Sequence, residues 1–525
     1  MDTRQIVQLQ LITFEKTNSS LSSIKKLAGE TLWYGGSTIA ARFLNYLLTP
    51  FLTYNLAEVS DYGKIGLIYS IIPIFNVIFT YGFETAYFRF SANKDGNKDL
   101  YSTAALSLFI STVLFTGVLW LNQHLLGQSI GLEEYPTIIK LMILIIAVDT
   151  LAAIPFARLR QEGRPIKYAM AKVLGIIVNI FLVWFFIQYC PKHISTQNWI
   201  GRIYDPSVNP VTYVVFANLI QAIVTLLFLA AEVLQIRFRF NADLWRKMML
   251  YAMPLILVGM GGVINDTMNR VMMRWWLPGT EQFRETQIGI YNACAKLPIL
   301  ITLFVQAFKM SAEPFFFKQA ESGSPQRMYA RVMKFFVMIL SVAFLAVSLF
   351  MPVWQYFIGP EYREGLGIVP ILLLANIFLG IYYNLTVWYK LTNKTLFGAW
   401  ITLTGSVVAV AINYFFIPRF GYLACAWGTF AAYGLMMVMS YTMGQKYYRI
   451  PYAWKKLVAF MGIAVSIYFI HKGITLFYSN TYFSIGIALF FLWIYYKFIT
   501  LVEYKEFMKL PFVGKYFVRK GSDAE

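Results

Sequence analysis

The sequence predicts an all-α integral membrane protein with about fourteen transmembrane helices, each about 20 residues long. Of its 525 residues, 58% are apolar and 14% are charged, and the mean hydropathy is +0.57. Soluble globular proteins are about 45–50% apolar and about 25% charged. The composition therefore excludes a soluble multidomain enzyme, a disulfide scaffold and a disordered chain.

The apolar residues are collected into runs that are long enough to cross a bilayer. A polar segment over 1–30 precedes them, lacks the pattern of a cleaved signal peptide and is interpreted as a cytoplasmic tail. The predicted spans lie at 31–54, 65–88, 101–121, 137–157, 168–189, 210–232, 249–272, 288–308, 331–353, 367–389, 395–417, 421–441, 455–474 and 480–501.

The cations predict the orientation of these spans. With both termini in the cytoplasm, the inner segments hold 32 of the 45 Lys and Arg residues and the outer loops hold 8. Cytoplasmic loops carry such an excess, and their cations face anionic lipid headgroups. The net charge of +19 therefore indicates membrane lipids as partners, and no nucleic acid. Since no loop can hold a soluble domain, the helices themselves must do the work, which favours transport.

Similar segments in the two halves indicate an internal repeat. Spans 1 and 7 both contain glycines and buried Arg and Asn residues, and glycines also end the comparable segments 61–63 and 287–289. A six-helix repeat is parallel, with a pseudo-twofold axis along the membrane normal. We predict an N-lobe of helices 1–6 over 31–236 and a C-lobe of helices 7–12 over 237–447. Helices 13–14 and a basic cytoplasmic tail fill 448–525.

Charged side chains inside the spans are the first candidates for a binding site, because each costs about 2.5–3.5 kcal/mol near the bilayer centre. Arg42, with Asn45 beside it, lies about 16 Å into span 1. Two interpretations are open: Arg42 is a fixed cation in a water-filled cavity that grips a phosphate, or it forms a structural ion pair with an acid such as Asp149 of span 4. Asp149 is also the candidate group for coupling to an ion.

A second set of candidates lies on spans 7 and 8. Asp266 and Arg270 are four residues apart, and Asn265 and Asn269 repeat this spacing, so a continuous helix would carry one polar stripe. The charged pair either neutralises itself, with Arg270 extending to the outer interface, or lines the cavity. Lys296, about 12 Å into span 8, is either a second cation of the site or another side chain that extends to the interface.

Motifs of enzymes and metal sites are absent from the sequence. It contains no G-x-x-x-x-G-K-[ST], H-E-x-x-H or G-x-S-x-G pattern and no cysteine pair at metal spacing. We therefore expect no enzyme activity, no cofactor and no metal ligands, and interpret Cys190, Cys294 and Cys425 as packing residues. Without a nucleotide-binding motif, transport must draw on a coupling ion such as a proton or sodium, on the membrane potential, or on consumption of the product.

Four segments resemble a known family. INDTMNR at 264–270 and IGIYNACAKL at 288–297 are similar to the start of the second half of oligosaccharide flippases. YGFETAYFR at 81–89 and PFARLRQEGR at 155–164 resemble the end of their second helix and the exit of their fourth. These flippases, which include O-antigen flippases, form the polysaccharide-transport branch of the multidrug/oligosaccharidyl-lipid/polysaccharide exporter superfamily. The similarity runs from about Leu27 to about Tyr447.

The resemblance implies a protein of the bacterial cytoplasmic (inner) membrane that works by alternating access through a cationic cavity between the lobes. Its substrate would be a polyprenyl-pyrophosphate-linked oligosaccharide, flipped from the inner to the outer leaflet for cell-surface polysaccharides such as lipopolysaccharide. Other polysaccharide-assembly proteins would be partners. Two alternatives stay open: a flippase for the peptidoglycan lipid precursor, and a cation-coupled multidrug exporter.

Overall fold

The described part of the chain is entirely helical apart from its turns and loops, with no β-strand in it. This computed structural model describes residues 36, 39–91, 99–195, 199–319, 325–392, 394–478 and 480–507. The predicted all-α class is therefore confirmed. The predicted tail at 1–30, the start of span 1 and the basic tail after 507 lie outside the described residues.

The helices of the first half are separated by short turns and loops. Helical residues 39–55, here α1, are followed by α2 (Val59–Thr80), α3 (Phe83–Ser91), α4 (Leu100–Leu121), α5 (Gln123–Ile130), α6 (Pro136–Gln161), α7 (Pro165–Trp184), a π-helical turn (Phe185–Tyr189), α8 (Cys190–His193), a 3-10 turn (Ile200–Arg202), α9 (Pro210–Phe228) and α10 (Ala230–Val233).

The second half contains longer helices with several breaks. Its elements are α11 (Ala242–Thr267), α12 (Asn269–Trp276), α13 (Glu281–Cys294), α14 (Ile299–Gln319), α15 (Pro325–Ser348), α16 (Met351–Trp354), 3-10 segments at Gln355–Phe357 and Pro360–Ile368, α17 (Val369–Leu385), α18 (Val387–Leu391), α19 (Leu396–Phe420), α20 (Tyr422–Tyr447), α21 (Trp454–Phe477), α22 (Thr481–Val502) and α23 (Tyr504–Phe507).

The described helices account for the predicted spans from the second to the last. Twelve of them are long and apolar enough to cross a membrane, and a bent pair, Glu281–Cys294 with Ile299–Met310, forms a thirteenth span if it is counted as one. The first predicted span begins outside the described residues, so the total of about fourteen stays a prediction. The chain is a multipass membrane protein.

Two spans that we expected to be continuous are broken. Span 7 is interrupted at Met268, between α11 and α12. Span 8 bends by 57° between α13 and α14. Pro298 lies in this second break, where it offers no backbone N–H and disfavours helical geometry at the preceding residue. The breaks lie next to Arg270 and Lys296, two of the predicted site residues.

The helices divide into two compact units. The first comprises the described residues of Met1–Leu48, Leu67–Val263 and Gln306–Ser311, and the second those of Thr49–Gly66, Ile264–Val305 and Ala312–Glu525. In the first unit, α3, α4, α6 and α11 share a core that includes Phe83, Ala104, Ala157 and Met248. All three cysteines are buried, as their interpretation as packing residues requires. The predicted lobe boundaries stay a prediction.

In the second unit, α2 and α13 approach each other through glycines. A Cβ added at Gly63 would lie 2.0 Å from the carbonyl oxygen of Glu285, and one at Gly289 would lie 2.3 Å from that of Val59. Each added Cβ would also lie 3.1 Å from the backbone nitrogen of the opposite glycine. These are the glycines that end the two segments compared between the halves of the sequence, so the matched segments pack on each other.

The end of α22 is tied to α15 and α21 by a buried carboxylate. Glu503 accepts hydrogen bonds from the Lys334 Nζ at 2.6 Å and from the Lys456 Nζ at 2.7 Å. Burial by itself would raise the pKa of the Glu503 carboxyl, but the two lysines hold that pKa below its ordinary value. Because the folded pKa is lowered, this contact stabilises the protein at neutral pH and loses its effect as the pH falls through the folded pKa.

Adding a side chain to the glycines at which α2 and α13 touch is expected to destabilise the protein. In Gly63→Ala and Gly289→Ala the new methyl group overlaps a backbone carbonyl, so we expect each to cost about 1–3 kcal/mol. Thermal unfolding of the purified protein in detergent measures the effect. Gly462→Ala is the matched control, because a Cβ at that position of α21 meets nothing within 4 Å. Equal stability of all three variants would contradict the close packing.

Candidate functional site

In the first unit, Arg42 and Asn45 are exposed on α1. Asp149 is exposed near the middle of α6, a helix of 26 residues. Among the described residues no ion pair joins Arg42 to Asp149, so the structure does not contain the predicted structural pair. The cation that acts on Asp149 is Lys172, whose Nζ lies 4.9 Å from the centroid of the Phe156 ring. A role for Arg42 in binding stays a prediction.

In the second unit, one of the two open interpretations was an ion pair between Asp266 and Arg270, and the described residues contain no such pair. Between the two residues the helix is interrupted at one residue, Met268, whose own dihedral angles stay helical. Instead, the Arg270 Nε donates a hydrogen bond to the Asn292 Oδ1 at 2.9 Å, and its guanidinium lies 5.7 Å from the centroid of the Tyr291 ring. Asp266 is exposed. A neutral amide thus positions Arg270 without cancelling its charge.

Lys296 completes a cluster of charges at the two helix breaks. It is half-buried in the turn between α13 and α14. Its ammonium group is repelled by Arg270 and attracted by Asp266, so all three charges lie within electrostatic range. We call Asp266, Arg270 and Lys296 the cationic cluster, since two cations and one acid leave one net positive charge. A cluster of this composition is suited to an anion.

Asn265 and Asn269 lie in a buried network next to this cluster. The Asn269 Nδ2 donates to the Tyr291 hydroxyl and to the Thr429 Oγ1, both at 2.9 Å, and its Oδ1 accepts from the Asn413 Nδ2 at 2.7 Å. Asn265 donates to a backbone carbonyl of α19. The two amides therefore join the broken helix to α13, α19 and α20, and so position Arg270. Their direct contact with a substrate stays a prediction.

Asn292 was not among the predicted site residues, although it holds Arg270. It lies on α13 opposite Gly66 of α2, where an added Cβ would come within 3.1 Å of its amide group. The glycine therefore leaves room for the Asn292 side chain. The signal in the sequence is weak: an amide within the largely apolar stretch that opens span 8.

Three buried charged residues at the contact of α2 with α13 were also not among the predicted site residues. The Lys64 Nζ lies 3.0 Å from the Asp61 Oδ1 and 3.6 Å from the Glu285 Oε2, and the three side chains are only 5–6% exposed. The sequence placed all of them in outer loops. Their burial follows from the approach of Gly63 to Gly289, which brings together residues more than 200 positions apart, and no local pattern predicts such a contact.

Helices that break beside charged side chains are typical of secondary transporters, and comparison with solved structures agrees. The chain resembles the lipid II flippase MurJ in an inward closed conformation, with a TM-score of 0.69, 12% identity, and coverage of 89% of this chain and 98% of that chain. It also resembles an inward-facing multidrug resistance MATE family transporter of the MOP superfamily, with a TM-score of 0.60, 14% identity, and coverage of 82% and 95%. The fold is that of these transporters.

The sequence itself places the chain within a family. Residues 27–320, more than half of the chain, match the family described as polysaccharide biosynthesis protein. The chain belongs to this family, which confirms the resemblance drawn from the four sequence segments. No curated protein matches the sequence.

Removal of the Lys64 cation between Asp61 and Glu285 is expected to lower the stability of the protein far more than removal of one acid. Lys64→Met leaves two buried carboxylates without their shared partner, which we expect to cost about 3–5 kcal/mol. Glu285→Gln keeps the Lys64–Asp61 pair at 3.0 Å and should cost much less. Thermal unfolding in detergent compares the two variants. Equal losses would show that the charges do not act as a unit.

Proposed function

We propose that this protein flips a polyprenyl-pyrophosphate-linked oligosaccharide from the inner to the outer leaflet for cell-surface polysaccharide assembly. Membership of the polysaccharide biosynthesis family and the transporter fold support a glycan cargo. The observation that carries the proposal is the bonding of Arg270 to the neutral amide of Asn292 rather than to an acid. An arginine positioned in this way keeps its charge for an anionic ligand.

The headgroup of such a lipid is the part that needs a protein to cross the membrane. A pyrophosphate with several sugars loses its hydrogen bonds in hydrocarbon, while the polyprenyl tail can stay among the lipid chains. A guanidinium binds phosphate oxygens with two parallel hydrogen bonds, which a lysine cannot do. In the proposed mechanism fixed cations hold the pyrophosphate, with Arg42 of the first unit and the cationic cluster of the second unit as separate candidates, and the binding site opens to each side of the membrane in turn.

An ion gradient is the proposed energy source. Asp149 is the candidate for the group that binds a proton or sodium, since it is a carboxylate near the middle of a membrane-spanning helix and a carboxylate can bind either ion. We place the protein in the inner membrane of a bacterium with both termini in the cytoplasm, on the strength of the Lys and Arg distribution. Membrane lipids and other polysaccharide-assembly proteins are its proposed partners.

A flippase for the peptidoglycan lipid precursor is the second candidate. The likeness to MurJ over 89% of this chain favours it, and its cargo is also a polyprenyl pyrophosphate. A multidrug exporter is the third, supported by the likeness to the MATE family transporter. Exporters of cationic drugs are disfavoured because Arg270 and Lys296 would repel such a cargo.

Deletion of the gene, with complementation by wild-type or Arg42→Ala protein, tests the function. We expect the deletion strain to accumulate lipid-linked oligosaccharide on the inner leaflet. The Arg42→Ala protein should insert into the membrane but should not restore export, because the phosphates of the cargo lose a cation. Leaflet-specific labelling of the glycan is the measurement.

If the deletion strain lyses because its cell wall is incomplete, the result would favour the peptidoglycan precursor as the cargo. If the strain shows only drug sensitivity, the result would favour an exporter. Normal export by Arg42→Ala would remove that residue from the mechanism.

Asn292→Asp tests whether the Arg270 charge must stay unneutralised. The substitution keeps the shape of the side chain but places an anion at the atom that lies 2.9 Å from the Arg270 Nε. If Arg270 holds the cargo, we expect flipping to fall about tenfold or more with no loss of protein stability, since a charge-assisted pair replaces a neutral contact. Asn292→Gln, which stays neutral, is the control for altered packing. Full activity of Asn292→Asp would make Arg270 a structural residue.

A further inference from the structure

The buried charges at the contact of α2 with α13 do not balance. Asp61 and Glu285 carry two negative charges and Lys64 carries one positive charge, and the three side chains are only 5–6% exposed. Glu281 of α13 and Arg274 of α12 also act on Glu285, but they form an ion pair with each other and add no net charge. One negative charge is therefore left over among these five groups. A buried charge without compensation is costly, and a carboxylate removes that cost by binding a proton.

Glu285 is the acid that the geometry leaves least compensated. The Lys64 Nζ lies 3.0 Å from the Asp61 Oδ1, which is a hydrogen-bonding distance, and the two residues are three positions apart on α2. The same Nζ lies 3.6 Å from the Glu285 Oε2, which is too long for a hydrogen bond. The charges of Asp61 and Lys64 thus compensate each other within α2. Glu285 on α13 carries the negative charge that remains.

The neighbouring elements give Glu285 no second ion pair. The 3-10 segment Pro360–Ile368 also packs on α13. In the described part of the chain, Glu285 pairs with none of the other titratable or charged groups of this segment, of α2, of α12 or of α13 nearby, which are Tyr62, Arg270, Arg284, Glu361, Tyr362, Arg363 and Glu364. Lys64 is therefore the cation to which this carboxylate is tied.

The ligand that suits the remaining charge is a proton. A metal cation needs several oxygen ligands around it, whereas the Lys64 ammonium group lies beside both acids and would repel a second cation. A proton needs no cavity. The Glu285 side chain keeps 5% of its surface exposed, so that its carboxyl group can exchange protons with water.

Protonation of Glu285 changes what holds the first turns of α2. These turns, up to Gly66, belong to the second unit, and the rest of the helix belongs to the first. A neutral carboxyl group no longer attracts the Lys64 ammonium, so the ion pair between α2 and α13 is lost. We propose that Glu285 binds a proton from the side of the membrane predicted to be outer, and that this proton releases the first turns of α2 from α13. The site goes beyond the proposed flipping.

Distances between two spin labels test the proton site. Ala57→Cys and Gln282→Cys place the labels at exposed positions before α2 and on α13, and the native cysteines are buried. In the full-length protein in detergent, we expect a longer distance to appear as the pH falls from about 8 to about 5, the range in which buried carboxylates titrate. Because one proton binds, the ratio of long to short distances should change by at most about tenfold per pH unit.

Glu285→Gln, which imitates the protonated acid, should show the long distance at every pH. Glu281→Gln removes a carboxylate one turn away on the same helix and is the matched control, which should still respond to pH. Wild-type distances that do not change with pH would overturn the proposal, as would a pH response that persists in Glu285→Gln. A shift to the long distance on addition of sodium at constant pH would overturn the assignment to a proton. No cargo is needed, so this test is independent of the proposed function.

Discussion

The cost of a charge inside a membrane-spanning helix is the constraint on which this structure depends. The protein meets it in two different ways. Lys64 is enclosed by Asp61 and Glu285, and Glu503 by Lys334 and Lys456, so that each buried charge has opposite charges within hydrogen-bonding or ion-pair distance. Arg270 has a neutral amide instead. The first arrangement stabilises the fold, and the second leaves the Arg270 charge without an acid in hydrogen-bonding distance among the described residues, which is the physical basis of the proposed site.

Breaks in the helices make the second arrangement possible. A continuous span 7 would have placed Asp266 one turn from Arg270 and favoured their mutual neutralisation. The described residues contain no such pair, and the interruption at Met268 and the bend at Pro298 lie next to Arg270 and Lys296. Backbone groups freed at such breaks and the side chains beside them form polar surfaces within an apolar protein, which is why transporters of several folds use broken helices to bind ligands.

Glycines set the distances on which the charged groups depend. Gly63 and Gly289 let α2 and α13 approach to backbone contact, and this contact buries Lys64 with its two acids. Gly66, one turn further along α2, leaves the space in which the Asn292 amide accepts from Arg270. Packing and electrostatics are thus coupled along one helix pair. A larger side chain at these glycines would disturb charged groups that it does not itself touch.

The sequence by itself determined the class of the protein, the places of its membrane-spanning runs and its family. The composition and the lengths of the apolar runs determine the class and the positions of the spans, because every span must match the thickness of the bilayer. It also pointed to Arg42, Asp266, Arg270 and Lys296, since a charge in an apolar run is visible without a structure. Only the tertiary structure decided how those charges are partnered. The bond of Arg270 to Asn292 and the burial of Lys64 against Glu285 depend on contacts between helices that are distant in the chain, and local periodicity carries no information about them.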